Sequence, residues 1–241
     1  MKTTDNQTVG ATVALDYRTA SVFQKFGIDF CCKGGLSIDE ACNRKGIDKQ
    51  KLLNEIALVN SGQYSAADDF NQWDLDKLAD HIEAKHHSYV STQLPVLIQF
   101  LNKLCKVHGE RHPELFDIYE EFGYVAQELT AHMKKEELIL FPFIKKMIHT
   151  KNNHNQLFRP GFGSVQNPIH MMMDEHNVEG ERLNRIAILT KDYNPPVDAC
   201  TTYRVTFKML KDFEADLHKH IHLENNILFP KAILLEKELA V

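Results

Sequence analysis

The chain has 241 residues, with 28 Lys+Arg against 33 Asp+Glu and a formal net charge of −5, which excludes a general nucleic-acid binder built on a basic face. Apolar residues at 43% and charged residues at 25% exclude wholesale disorder, and only 11 Gly and 8 Pro argue against a loop-rich all-β design. The length suits one large domain or two smaller ones, and the counts that ask for an explanation are 13 His and 5 Cys.

The first ten residues, Met1 to Gly10, contain no apolar stretch of the secretory kind. The longest apolar runs, such as Leu138–Ile144, are far too short to span a membrane. The odd cysteine count shows no spaced disulfide framework. A reducing, cytoplasmic location is expected, with no membrane and no nucleic-acid partner.

In chain order, residues 11–59 read as short helical pieces punctuated by glycine. Arg18–Phe26 is the first, ending near Gly27. Ser37 and Glu40 form a capping box for a second that runs toward Gly46. Asp48 caps a third, with Leu52, Leu53 and Ile56 on its apolar side. Between the first two lies Asp29-Phe30-Cys31-Cys32-Lys33-Gly34-Gly35. The polar stretch 60–72 reads as a linker. The division expected is a small helical domain at 1–60, a linker at 61–73 and a bundle at 74–241.

From Trp73 onward the period is helical, with segments at about 74–108, 113–150, 166–191 and 196–238. Pro113 and the Pro195-Pro196 pair suit first-turn positions. Lys151–Val165 is the longest break, and Pro95, Pro142 and Pro230 should kink or stop their helices. The fold class expected is all-α, an up-down-up-down four-helix bundle behind a small amino-terminal helical domain.

The bundle contains an internal echo. His132 and Glu136 lead to Phe141-Pro142, and His220 and Glu224 lead to Phe229-Pro230, both reading H-x-x-x-E-x-x-x-x-F-P. His87 precedes His132 by 45 residues, and His176 precedes His220 by 44. Residues four apart share one helix face, so each His/Glu pair can reach one site. That face is apolar: Leu129, Ile139, Leu140 and Phe143 lie around His132; Phe213, Leu217, Ile227 and Leu228 around His220; Ile169, Met172 and Leu183 around His176. Buried glutamates beside histidines need a compensating cation or strong hydrogen-bond donors, and a metal pair provides the cation.

A single H-x-x-x-E is usually a surface pair; its duplication at matched spacing points to metal. Helix angles leave His86 and His87 both eligible, and the 45/44 spacing favours His87. Four His and two Glu offer nitrogen and oxygen and no thiolate, which suits iron, and less specifically manganese or zinc. Glu128 and Asp216 lie one turn before His132 and His220, and Glu175 adjoins His176. Each can accept the second N–H of a ligating histidine, or simply belong to a solvated helix face. Met171-Met172-Met173 reads as core filling. The nine histidines outside the set, His218 and His222 included, read as ordinary surface residues.

These features resemble the hemerythrin-like family, whose members hold a non-haem di-iron centre in a four-helix bundle. More specifically, Tyr17–Gly35 with its Cys31-Cys32 pair is similar to the amino-terminal domain of the RIC (repair of iron centres) proteins of the YtfE/ScdA type, and Glu224–Pro230 is typical of them. Lys33 stands where a glycine is common. The resemblance implies two iron ions held by His87, His132, Glu136, His176, His220 and Glu224, the two glutamates bridging with an oxo or hydroxo group. It implies a cytoplasmic protein that restores iron–sulfur clusters damaged by nitric oxide or peroxide, by supplying iron. Its partners would be damaged iron–sulfur proteins and the small molecules nitric oxide and O2, with a homodimer left open.

Cys31 and Cys32 match the family's cysteine pair; Cys42, Cys105 and Cys200 are not needed for that role. Buried packing thiols are one reading of the pair. The glycines after it favour an exposed turn whose thiols bind iron, take up nitric oxide or exchange disulfides. A competing function is a di-iron enzyme or sensor that reduces nitric oxide to nitrous oxide, and a third is a metal-stabilised interaction module without chemistry.

Overall fold

The computed structural model describes residues 7–60, 69–153 and 160–239. Among them every regular element is helical, and the one β-type contact given is an isolated bridge between Thr8 and Ser37. The chain divides into two compact units. One draws on Met1–Ala79, Met147–Phe158 and Lys219–Val241, the other on Asp80–Lys146 and Arg159–His218.

In the first unit, helix α1 (Val9–Leu15) is capped by Thr8, whose Oγ1 accepts from Ala11 N at 3.1 Å. This helix is absent from the sequence reading, because a stretch so short carries too little periodicity. Asp16 then caps a 3₁₀ turn (Tyr17–Thr19) that leads into α2 (Ala20–Lys25), and Gly27 at φ 65° turns the chain away. The capping box of Ser37 and Glu40 starts α3 (Ile38–Lys45), which Gly46 ends in the left-handed region. Asp48 Oδ1 accepts from Gln50 N and Lys51 N at the start of α4 (Lys49–Asn60). Val9, Val13, Phe23, Ile38, Leu52 and Ile56 bury the apolar faces of these pieces.

The expected linker lies at 61–68 outside the described residues. Its end belongs to the fold: Phe70–Gln72 makes a 3₁₀ turn, Phe70 is buried, and Asn71 Nδ2 donates to Ala14 O.

The long segments are α5 (Leu75–His81) with α6 (Ser88–His108), α7 (Glu114–Lys135) with α8 (Phe141–Asn152), α9 (Gln166–Leu189), and α10 (Thr201–Leu223) with α11 (Phe229–Leu239). Pro113 stands at the cap of α7, and Pro95 sits inside α6. The fourth segment begins at Thr201 and not at 196. Lys191, Asp192 and Tyr193 form a left-handed turn (φ 52°, 57° and 60°), and Pro195-Pro196 stays in the loop behind it.

Three of the four segments are interrupted, and none is stopped, by a wide π-turn: Ile82–His87, Glu136–Leu140 and Glu224–Leu228. The last two directly precede Phe141-Pro142 and Phe229-Pro230. Proline lacks the N–H of a regular turn, and its ring crowds the carbonyl four residues back. Opening the turn to i→i+5 relieves that conflict without ending the helix. The widening also shifts the helix face. Ile139, expected beside His132, is 49% exposed, whereas Leu140 is buried.

Candidate metal centre

In the second unit the ligand candidates sit at the π-turns. His87 closes the first π-turn, His132 lies in the last turn of α7, Glu136 opens the second π-turn, and His176 projects from α9. All four are buried, Glu136 completely. Nε2 of His87 and Nε2 of His132 each lie 3.4 Å from Glu136 Oε2. His176 Nε2 is 3.0 Å from His132 Nε2. The ring of His87 stacks on Phe141, the aromatic member of the F-P pair, at 5.6 Å.

The outer nitrogens decide which way the lone pairs face. His132 Nδ1 lies 2.8 Å from Glu175 Oε2, and His87 Nδ1 lies 2.8 Å from Glu137 Oε1. Each carboxylate calls for a proton on Nδ1, which leaves the Nε2 lone pair pointing inward. Two lone pairs then confront a buried carboxylate, and a cation among these atoms satisfies all of them. The donor set fits iron: imidazole nitrogen and carboxylate oxygen, with no thiolate.

Glu175 is held at about 2 by its hydrogen bond to His132, with Lys135 adding to it against the cost of burial. Glu137 gave no sequence signal, since its histidine lies 50 residues away on another helix. The other two carboxylates expected near the histidines have different partners. Asp216 faces His86 Nδ1 at 3.0 Å, and Glu128 accepts from Arg182 Nε and Nη2 at 2.9 and 3.0 Å. Beside Glu128, the buried Glu179 is pushed up to about 8 by desolvation and by the Glu128 charge, so it carries a proton at neutral pH.

In the first unit, His220 Nε2 lies 2.9 Å from Glu224 Oε1, both fully buried, with Glu224 opening the third π-turn. The same turn holds the cysteine loop. Asn225 Nδ2 donates to Cys31 O (3.2 Å) and Asn226 Nδ2 to Phe30 O (3.1 Å). Asn226 also meets His222 Nδ1 at 3.0 Å, and the His222 ring packs between Tyr17 and Phe30. Burial depresses His222 to about 3, so it stays neutral. Gly10 and Gly34 are required here, because a Cβ would come within 2.1 Å and 2.7 Å of Asn226 Oδ1.

Asp29 Oδ1 accepts from the amides of Cys31 and Cys32 at 3.1 and 2.9 Å, and Cys31 Sγ lies 3.3 Å from it. The two sulfurs are 3.7 Å apart. One donor atom from each of Asp29, Cys31 and Cys32 lies within 4.8 Å of the others.

Two expectations are corrected. The thiols are not an exposed pair: Cys31 is 3% exposed, and its pKa is raised by its hydrogen bond to Cys32, by burial and by Asp29. Cys32 is half-buried. Nor are the remaining histidines all on the surface, since His86, His108 and His222 are buried. Of the methionine run, Met172 is buried and Met171 is exposed.

Residues 78–232 match the profile described as hemerythrin HHE cation binding domain, and residues 5–60 match ScdA_N, described as a domain of unknown function. The iron-sulfur cluster repair protein YtfE of Yersinia pestis (strain Pestoides F) is 34% identical over 229 residues, 95% of this chain and 97% of that one. That of Yersinia pseudotuberculosis serotype O:1b is 33% identical over the same extent. The chain belongs to the YtfE family of hemerythrin-domain proteins. As in that family, a small ScdA_N domain precedes a hemerythrin-like helical bundle, so the fold is the one the helical periodicity predicts. The six His/Glu positions fall inside the hemerythrin segment, and Cys31 and Cys32 inside ScdA_N. The buried His/Glu clusters of this YtfE-family chain are a metal-binding site of the iron-preferring kind. No helix among the described residues is long and apolar enough to cross a membrane.

Proposed function

We propose that this protein repairs iron–sulfur clusters by holding iron as cargo and giving it up to a damaged cluster. The single observation that carries the reading is the inward aim of two carboxylate-oriented imidazoles at Glu136 Oε2, 3.4 Å from each. In full, His87, His132, Glu136, His176, His220 and Glu224 would hold two irons, with Glu136 and Glu224 shared between them. The exact repeat of H-x-x-x-E-x-x-x-x-F-P supports that symmetry. Bound there, iron is held by neutral nitrogens and carboxylates, a set that exchanges more readily than thiolates do.

The residues set the terms of release. Glu175 and Glu137 keep Nδ1 of His132 and His87 protonated, so on these two rings the nitrogen that can exchange iron for a proton is the inner Nε2. Proton uptake at Nε2, stabilised by Glu136, takes over the charge balance of the pocket as iron leaves. Asp29, Cys31 and Cys32 form a separate three-donor cluster suited to receiving iron or a nitrosylated fragment. The clients would be cytoplasmic iron–sulfur proteins damaged by nitric oxide or peroxide.

The test is iron transfer from the loaded protein to an apo or damaged cluster protein, followed by recovery of client activity. Glu136→Leu is expected to lose bound iron and repair together. Repair that persists in the iron-free protein, or in Glu136→Leu, overturns the reading. Mössbauer spectra of the loaded chain check the count, two coupled irons being expected.

A further inference from the structure

The second unit also brings a cysteine and a histidine together, neither of them among the metal-ligand candidates. Cys200 is the exposed cysteine of the five. A turn closed by Ala199 N donating to Pro196 O (3.0 Å) delivers it to the start of α10, where its carbonyl accepts from Arg204 N at 3.1 Å. It is therefore the capping residue of a 23-residue helix. His108, only 5% exposed, places Nε2 3.2 Å from Cys200 Sγ. Its Nδ1 is buried and makes no hydrogen bond among the described residues, so the thiol is the polar group this imidazole addresses.

The setting is ordered in one direction. Cys200 stands at the positive end of α10, and His108 is the last residue of α6, at that helix's negative end. The two helix ends are thus complementary in sign to the two partners of a thiol–imidazole pair, which lie within hydrogen-bond distance of each other. Tyr203 packs edge-on against His108 (5.5 Å) and against His112 (5.7 Å), closing the buried side. The nearby acids are engaged elsewhere: Asp198 with Arg111 (2.9 Å) and His112 (3.1 Å), and Glu114 with His112 (3.1 Å). Neither competes for His108. Cys105 is the contrasting case, buried and donating to Leu115 O at 3.2 Å.

We propose that Cys200 and His108 form a thiol–imidazole dyad that undergoes exchange with low-molecular-weight disulfides, making Cys200 a site of reversible mixed-disulfide modification. Sγ attacks one sulfur of the disulfide, a new S–S bond forms and the reagent's S–S bond breaks. His108 Nε2 takes the thiol proton and returns it to the departing thiolate. Cys200 is oxidised and one equivalent of small thiol is released, so no further oxidant is needed.

The test uses the full-length, iron-loaded protein at neutral pH. Iodoacetamide labelling is followed by peptide mass mapping, so each cysteine is read separately. Native Cys200 is expected to react about tenfold or more faster than Cys200 in the same chain unfolded in urea. Incubation with glutathione disulfide should give a mixed disulfide at Cys200 that dithiothreitol reverses and that Cys200→Ser lacks. His108→Gln should bring labelling down to the unfolded rate. Native Cys200 reacting no faster than in the unfolded chain overturns the dyad even if His108→Gln fails to fold. Fast alkylation without mixed-disulfide formation overturns the disulfide-exchange assignment.

Discussion

The hold of the third π-turn on the cysteine loop can be measured by removing one side chain. Asn226 Nδ2 serves both Phe30 O (3.1 Å) and His222 Nδ1 (3.0 Å), and Asn226 Oδ1 is seated close to the backbone of Gly10 and Gly34. Asn226→Ala takes the donor from both acceptors at once. A buried group left without its partner costs about 1–3 kcal/mol, and loop relaxation recovers part of the sum for two. A net loss of about 2 kcal/mol against local opening is expected, which corresponds to roughly a 30-fold change in the open population. Cys31, 3% exposed, reports that population directly. Its labelling by a small thiol reagent, mapped by mass spectrometry, should be about 30-fold faster in Asn226→Ala. Asn226→Asp keeps the shape but not the donor, and should accelerate labelling as well. If both variants label Cys31 at the wild-type rate while remaining folded, the asparagine does not hold the loop.

Three further outcomes follow from other residues. Glu214, half-buried near Tyr193, is raised to about 7 by burial, the Tyr193 hydroxyl pulling the other way and Asp192 adding to the rise. A carboxyl raised on folding keeps its proton in the folded chain after the unfolded chain has lost it. Stability therefore falls as pH climbs from about 4.5 to 7, by about 2 kcal/mol once partial exposure is allowed for. The urea-unfolding difference between wild type and Glu214→Gln should change by that amount between pH 4.5 and 8, and a flat difference refutes it. Glu175→Gln removes the carboxylate that orients His132, and should weaken iron binding about 10–100-fold in chelator competition; unaltered affinity would show that Lys135 or the fold alone orients the ring. Gly34→Ala places a Cβ 2.5 Å from the backbone oxygen of Phe30. It should lower stability by about 1–3 kcal/mol in thermal unfolding, and an unchanged Tm would mean that the turn gives way.

The long helices and their caps were legible because they depend on local spacing: Ser37 with Glu40, Asp48 before α4, the glycines at 27 and 46. The His/Glu repeat was legible for the same reason, each pair being four residues apart on one helix. The π-turns were not, since i,i+4 periodicity reads the same up to the point where the helix widens. Periodicity therefore places Ile139 inward and leaves His86 and His87 both eligible, with only the 45/44 repeat spacing to favour His87. Contacts across helices left no trace either. Nothing near His87 pointed to Glu137, and nothing near Asp216 pointed to His86. The turn at Gly34-Gly35 looked exposed because its cover, Asn225 and Asn226, lies 194 and 196 residues away from the carbonyls it holds.

The π-turns also govern what kind of sequence change this chain can absorb. Each holds one residue more than a regular turn, and a helix advances about 100° per residue. Deleting a single residue between Glu136 and Phe141, or between Glu224 and Phe229, would restore a plain α-turn. Everything beyond it would then rotate by about that angle relative to the histidine before it. Phe141, which stacks on His87, would swing away from its partner. A point substitution in these stretches alters one side chain's contacts, whereas a deletion re-aims the whole helix beyond it: their length is fixed as strictly as a codon frame.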